Sequence, residues 1–325
     1  HKHNMTITID AAAQHLLDHT RTFNSEIQTI TRLGLEMETM VPYRGSDGEY
    51  YVTTRASSTE VLQPYQPQFT PKGSVDHDET SIRVRPIKLD LTFTEEDLEQ
   101  FYDSWKIEWM NAGKSPLEWT YPRYIYEKEL LPQILEEINT NSWSGIYAAP
   151  TPGTAGASAT SVNGYKKVLA DLVTASAITP IVIGATTASN ARENVEAFLA
   201  AIPEKITKKG GKILMSPAQR RFFVTDYRGE FMQAPGVYPQ GGGPKKVEVD
   251  DYNVELVSVA SMAGSGRWIF LPNGRDNMVW VSRKEYPTYP QIIFDTAPRV
   301  LQMYATFYRG YGFEYPQEVY VNDQV

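Results

Sequence analysis

The run Ile82-Arg83-Val84-Arg85-Pro86-Ile87-Lys88-Leu89-Asp90-Leu91-Thr92-Phe93 decides how this chain is read. Apolar and polar residues alternate with a period of two, the pattern of a strand with one buried face. The alternation changes phase. Ile82 and Val84 lie on one phase, Ile87, Leu89, Leu91 and Phe93 on the other, and Pro86 stands at the change. Such a shift marks a bulge or a sheet edge, where an extended segment leaves one body and reaches toward another. Upstream, Glu49–Thr54 is a second strand candidate. Between them lies Gln63-Pro64-Tyr65-Gln66-Pro67-Gln68-Phe69-Thr70-Pro71-Lys72-Gly73, whose three prolines bar it from a central sheet. Residues 49–93 therefore read as a long β-hairpin. A protruding hairpin buries no core of its own, so it needs a surface to lie on, supplied by the rest of the chain or by a neighbouring copy.

On the N-terminal side, residues 1–48 read as an arm. Asp10 is placed to cap a helix through Ala11–Ala13, Leu16 and Leu17. A second helical stretch, Ile27–Met40, stops at Pro42 and the turn-rich Arg44-Gly45-Ser46-Asp47-Gly48. On the C-terminal side, Thr94 and Asp97 form a capping box with Asp in place of Glu. Leu98, Phe101, Tyr102 and Trp105 follow at helical spacing. The next helix carries Leu131, Ile134, Leu135 and Ile138, with Pro132 opening or kinking its first turn, and ends near Asn141. Residues 148–162 are a loop of small residues.

Beyond this loop the pattern turns α/β. A helix at Val168–Val173, a short strand at Pro180–Gly184, and a helix capped by Asn190 and Glu193 are expected. A strand at Lys212–Met215 and a helix at Pro217–Asp226 follow, then a flexible tip at Gln240-Gly241-Gly242-Gly243-Pro244. Further strands are expected at Val247–Val249, Val254–Val259, Trp268–Leu271 and Met278–Val281. Arg299–Val321 is strand-rich, with Leu301, Met303, Ala305 and Phe307 on one face. The fold class is α+β.

Composition narrows the function. The chain has 325 residues, enough for about two domains at ~150 residues each. With 41% hydrophobic and 22% charged residues it has the balance of a globular protein. No apolar run is long enough for a transmembrane helix, and the first twenty residues hold no apolar leader core. The absence of Cys excludes disulfides, Cys metal sites and thiol catalysis, and fits a reducing compartment. A net charge of -8 argues against tight non-specific binding to nucleic acid. Twenty Tyr, twelve Phe and six Trp suit either a sheet-rich core or a protein–protein contact.

Patterns that carry chemistry are weak. His15 and His19 share a helix face without the Glu of a zinc-protease motif, so a solvated face is the simpler reading. Asp76-His77-Asp78-Glu79 offers oxygen ligands but lacks the spacing and Gly bend of a calcium loop, and reads as a hydrated charge cluster. Gly236, Gly241, Gly242 and Gly243 before Lys245 do not have phosphate-loop spacing. No G-x-S-x-G elbow is present. Glu95/Glu96 and Asp250/Asp251 are sequence neighbours whose side chains diverge, a poor acid–base couple. No enzymatic constellation and no cofactor are expected.

The order of these features resembles the major capsid proteins of tailed phages, the Hong Kong 97-type fold. Three segments carry the resemblance. Glu127–Ile138, followed by Trp143-Ser144-Gly145 and the Pro/Gly loop, resembles the spine helix of the family's peripheral domain. Asn194–Ile202, Lys212–Pro217 and Asp226-Tyr227-Arg228-Gly229 resemble the axial domain's helix, strand and turn. Tyr304–Val319, with an aromatic and Arg before Gly, resembles the closing peripheral strands. The resemblance implies an N-terminal arm at 1–48, an extended loop at 49–93, a peripheral domain at 94–147 and 283–325, and an axial domain at 148–282. It implies self-assembly into hexamers and pentamers of an icosahedral shell in the virion, with assembly in the host cytoplasm. Implied partners are a portal protein, a scaffold or maturation protease, cement or decoration proteins, and packaged double-stranded DNA held without sequence-specific contact. The start at His1 is compatible with removal of a leading segment.

Candidate inter-subunit contacts under this reading are Phe69 and Lys72 near the hairpin tip, Arg83, Arg85 and Lys88 on its return leg, and Gly241, Gly242 and Gly243 at the axial tip. Two other functions are expected to compete. One is an encapsulin-type nanocompartment shell with a cargo site in residues 1–40. The other is a glycan-binding or glycan-acting protein with Trp105, Trp109, Trp119 and Trp143 lining a cleft.

Overall fold

A computed structural model describes residues 31, 34–58, 60–112, 124–231, 253–274, 276–286, 293–297 and 300–324. The expected helix at 10–17, both His15 and His19, the strand at Val247–Val249 and the glycine tip at 241–243 lie outside the described residues. In chain order the strands are β1 (Tyr43–Ser46), β2 (Tyr50–Ser58), β3 (Val75–Arg83), β4 (Arg85–Thr94), β5 (Gly211–Met215), β6 (Val254–Ser258), β7 (Ile269–Pro272), β8 (Met278–Arg283), β9 (Ile293–Ala297), β10 (Val300–Phe313) and β11 (Tyr320–Val321). The helices are α1 (Glu36–Met40), α2 (Glu95–Ala112), α3 (Leu131–Ser144), α4 (Tyr165–Thr174), α5 (Ala191–Ala200), α6 (Glu204–Thr207) and α7 (Pro217–Phe231).

The hairpin's return leg is two strands serving two sheets. Among the described residues β3 pairs with β2 alone, antiparallel from Tyr50↔Arg83 to Ser58↔Val75. β4 pairs with β10, from Arg85↔Arg309 to Thr94↔Val300. The break falls at Val84, two residues before Pro86, and β4 is an edge strand, where a missing N–H is tolerated. The phase shift in the sequence is this change of partner.

β10 is the beam of the molecule. Its first part lies between β4 and β9, and its last four residues pair with β8, which in turn pairs parallel with β1. Leu301, Met303, Ala305 and Phe307 are buried while Gln302, Tyr304 and Thr306 are exposed, as period two requires. The buried face packs on α2 and α3 through Phe93, Leu98, Leu131, Ile134 and Ile138. The Thr94–Asp97 box holds α2 in place: Asp97 Oδ2 accepts from the Thr94 amide at 2.8 Å, and the Asp97 amide donates to Thr94 Oγ1 at 3.3 Å. Before α3 the chain makes a π-helical turn, Ile125–Leu130, so Pro132 enters at the helix's first turn.

The second sheet has the order β11-β7-β5-β6, with β5 parallel to β6 and antiparallel to β7. α5 and α7 close one side of it through Val195, Phe198, Leu199 and Phe223. Two expectations fail here. Pro180–Gly184 is not a strand: Ile181 makes a single bridge to Asn322, and Val182 beside it is 81% exposed. A strand needs a ladder to continue, and Gly184 at φ +73 turns the chain away. Asn190 does not cap α5 with its side chain. Its Oδ1 accepts instead from the amide and hydroxyl of Thr187, at 2.7 and 3.0 Å. The Arg192 amide is satisfied from α7, by Asp226 Oδ2 at 2.8 Å.

The C-terminal segment is sewn into this second sheet. Asn322, fully buried, accepts from the Trp268 amide at 2.7 Å and donates to the Gly266 carbonyl at 2.8 Å. The buried Arg267 guanidinium donates to the Asn322 carbonyl. Asn322→Ala leaves two backbone groups without partners and lowers unfolding stability by about 2 kcal/mol. Urea unfolding followed by tryptophan fluorescence checks this; a loss below about 0.5 kcal/mol contradicts it.

Candidate assembly surface

The ribbon β2–β3 is the feature with least support from its own body. Its tip, residues 60–74, forms no strand, and its apolar side chains point to solvent: Leu62 is 87% exposed, Tyr65 93% and Phe69 90%. The prolines account for the absence of strand pairing. The tip is nonetheless braced. Gln63 Nε2 donates to the Thr70 carbonyl at 2.7 Å, and Lys72 Nζ reaches the Leu62 carbonyl at 3.0 Å and Glu60 at 2.9 Å. Large apolar groups held outward in this way make an exposed apolar patch.

The ribbon's base, by contrast, is anchored. Ile82 and Val84 are buried against Val279 and Val281 of β8. Two glycines of β10 make room for this approach. A Cβ on Gly310 would lie 2.6 Å from the Arg83 carbonyl oxygen, and one on Gly312 would lie 2.7 Å from the Ile82 side chain. Below the ribbon runs a polar cleft lined by Arg44, Arg55, Asp276, Glu314 and Glu318. Glu314 Oε1 accepts from Arg44 Nε at 2.7 Å and from the Tyr51 hydroxyl at 3.0 Å. The Arg44 pKa is raised by that hydrogen bond. Arg55 pairs with Glu318 at 2.9 Å and stacks over Tyr315. The segment between β10 and β11 thus holds the ribbon at its root.

A buried polar junction underlies this anchor. Arg309 of β10 has a fully buried side chain, and its Nε donates to Glu38 Oε1 of α1 at 2.7 Å. The same oxygen accepts from the Tyr311 hydroxyl at 2.8 Å, and the Glu38 carbonyl accepts from Trp280 Nε1 at 3.1 Å. The Arg309 guanidinium lies over the Trp280 ring at 4.7 Å. Tyr165, packed on Tyr311, donates to the Val279 carbonyl at 2.9 Å. Glu38 thereby ties α1 to β10 through its carboxylate and to β8 through its main-chain carbonyl.

Burial, with the Glu38 charge nearby, pushes the Tyr165 and Tyr311 pKa values well above 10. A raised acid pKa in the fold means the folded state holds its phenol protons more tightly than the unfolded chain. Their contribution is intact below the unfolded value near 10 and is lost as pH rises through the folded one. Melting temperature should fall steeply above about pH 10, with part of the 295 nm phenolate absorbance appearing only on unfolding. Full phenolate absorbance while the near-ultraviolet circular dichroism is still native contradicts this.

The sequence-derived contact residues that lie among the described residues separate into two groups. Phe69 and Lys72 lie at the exposed tip. Arg83, Arg85 and Lys88 have partners within the chain: Arg83 sits over Tyr50, Arg85 over Tyr147 at 3.2 Å, and Lys88 beside Asp90. Trp143 is 2% exposed in the core and Trp105 packs on the α2–α3 cluster, so neither lines an open cleft, while Trp119 lies outside the described residues. Leu62 and Tyr65 were not singled out from the sequence, although an apolar residue among prolines and glutamines is the signal that would have found them. Among the described residues, no helix is long and apolar enough to cross a membrane, and no group of three His, Asp or Glu is placed to hold a metal ion.

No protein-family model matches the sequence, and no curated protein matches it. Solved structures do. The satellite phage P4 procapsid including the size determination (Sid) protein superimposes with TM-score 0.55 at 10% identity, over 92% of this chain and 90% of that one. The capsid of the native GTA particle gives TM-score 0.52 at 10% identity, over 89% of each chain. The capsid of the empty GTA particle gives TM-score 0.50 at the same identity and coverage. The mixed helix-and-sheet architecture is therefore the fold of phage capsid subunits.

Proposed function

We propose that this chain is the major capsid protein of a tailed phage, a structural subunit completed by copies of itself. The observation that carries the reading is the ribbon: rigid at the base, braced at the tip, and bearing Leu62, Tyr65 and Phe69 almost fully in solvent. The likeness to capsid subunits supports it. A shell needs elements that lie over neighbours, and rings need heterologous contacts in which unlike patches meet. Hexamers and pentamers of this subunit close an icosahedral shell around double-stranded DNA, and the negative net charge lets the duplex slide along its wall. In this reading residues 1–48 are the arm, 49–93 the extended loop, 94–147 with 283–325 the peripheral domain, and 148–282 the axial domain. Phe69 and Lys72 meet a neighbour, and Gly241, Gly242 and Gly243 lie near the ring centre. A portal, a scaffold or protease, and decoration proteins are its assembly partners, and the virion is its location.

Negative-stain microscopy of the expressed chain tests the proposal. Uniform hollow particles are expected. A stable monomer that binds oligosaccharide under the same conditions overturns it. Nuclease-protected DNA in particles made during infection separates a genome container from an enzyme-filled compartment.

A further inference from the structure

The ribbon and the segment leading into β5 carry opposite charge, most of it without an ion-pair partner among the described residues. Residues 204–212 hold four lysines and one glutamate in a chain whose net charge is -8. Lys205, Lys208, Lys209 and Lys212 are all exposed, on α6, in the turn after it and at the start of β5. Among the described residues only Lys208 has a carboxylate within reach, Glu204 at 3.7 Å. The ribbon has the reverse pattern. Asp76, Asp78 and Glu79 on β3 are exposed, and none has an ion-pair partner among the described residues. Asp76 and Asp78 share one face of the strand and Glu79 lies on the other, so the ribbon is acidic on both sides. Among the described residues no ion pair joins the two patches.

We infer that the acidic flank of the ribbon docks on the lysine patch of a second copy, and that this pairing sets the register of the contact whose apolar anchor is the ribbon tip. The inference rests on the shell reading above and names the surface that reading leaves open. Three arguments support it. The charges are complementary. They lie on different elements of one chain, as a heterologous contact requires. All three acids stay exposed, and Arg55, the β2 residue opposite Asp78, is held by Glu318 of the same chain. It also reverses the polarity suggested by the sequence, because Arg83, Arg85 and Lys88 are already engaged within the chain. Such exposed pairs act chiefly on register and rate, and salt screens them.

A charge swap in the full chain tests this, read by sedimentation velocity and microscopy at ~0.1 M and ~1 M salt. Lys208→Glu/Lys209→Glu/Lys212→Glu should reduce assembly at least tenfold at low salt, and Asp76→Lys/Asp78→Lys/Glu79→Lys should do the same. The two sets combined should restore assembly. Unchanged denaturation midpoints keep folding out of the comparison. Normal assembly of both single-sided variants overturns the inference, as does loss of DNA binding alone in the lysine variant. Open oligomers that obey the swap, without closed particles, keep the contact and overturn the shell. Closed particles indifferent to the swap do the opposite, and a monomer throughout overturns both.

Discussion

Replacing Glu38 with Ala lowers the subunit's unfolding free energy by about 3–5 kcal/mol, among the largest effects available to a single substitution here. The cost comes from what remains. Arg309 has no exposed side-chain surface, and the substitution strips it of its carboxylate. The Tyr311 hydroxyl loses the same acceptor. A buried cation without its counter-charge is far more costly than the intact pair is favourable. The combination Glu38→Leu with Arg309→Met should therefore be milder than Glu38→Ala alone, because it removes both charges and keeps apolar volume. Guanidinium unfolding of the unassembled subunit, followed by tryptophan fluorescence, gives both numbers. A loss below about 1 kcal/mol for Glu38→Ala contradicts the junction as described.

The second large effect is on assembly rather than stability. Leu62→Ser/Tyr65→Ser/Phe69→Ser should leave the denaturation midpoint unchanged, because none of the three side chains contributes to the subunit's core. Assembly should fall to about a tenth of the parent's or less. Each side chain is worth roughly 1.5–3 kcal/mol when buried against a neighbour, and a shell repeats the loss at every contact. The split between stability and assembly is the diagnostic. If the triple variant unfolds more easily, the tip is part of its own subunit; if it assembles normally, the tip is not a docking element.

Local rules made much of the fold legible. The Thr94–Asp97 box, the alternation along Leu301–Phe307 and the phase change at Pro86 each follow from spacing alone, and each appears in the structure. The failures are cases where distant residues decide. Asn190 is drawn to Thr187, and the α5 amide it would have served is satisfied by Asp226 of another helix. Pro180–Gly184 has strand-like residues but only one residue of the C-terminal segment to bridge to. The Glu38–Arg309 pair joins residues 271 apart in sequence, and nothing near Glu38 marks it as buried. Gly310 and Gly312 were visible as glycines in a strand, but their reason, the close approach of Ile82 and Arg83, exists only in three dimensions. The candidate surface was legible as a ribbon in need of support. Its acidic flank was legible as the hydrated cluster Asp76–Glu79, but the lysine patch was not, because a charge run in sequence does not say which charges will find partners at home.

The central claim is that the ribbon tip is completed by another copy. A photo-reactive phenylalanine at position 69, introduced into mixed ¹⁴N- and ¹⁵N-labelled subunits and irradiated after assembly, tests it directly by mass spectrometry. Cross-links joining light to heavy chains are expected in quantity. Cross-links confined to peptides of a single chain would contradict the account.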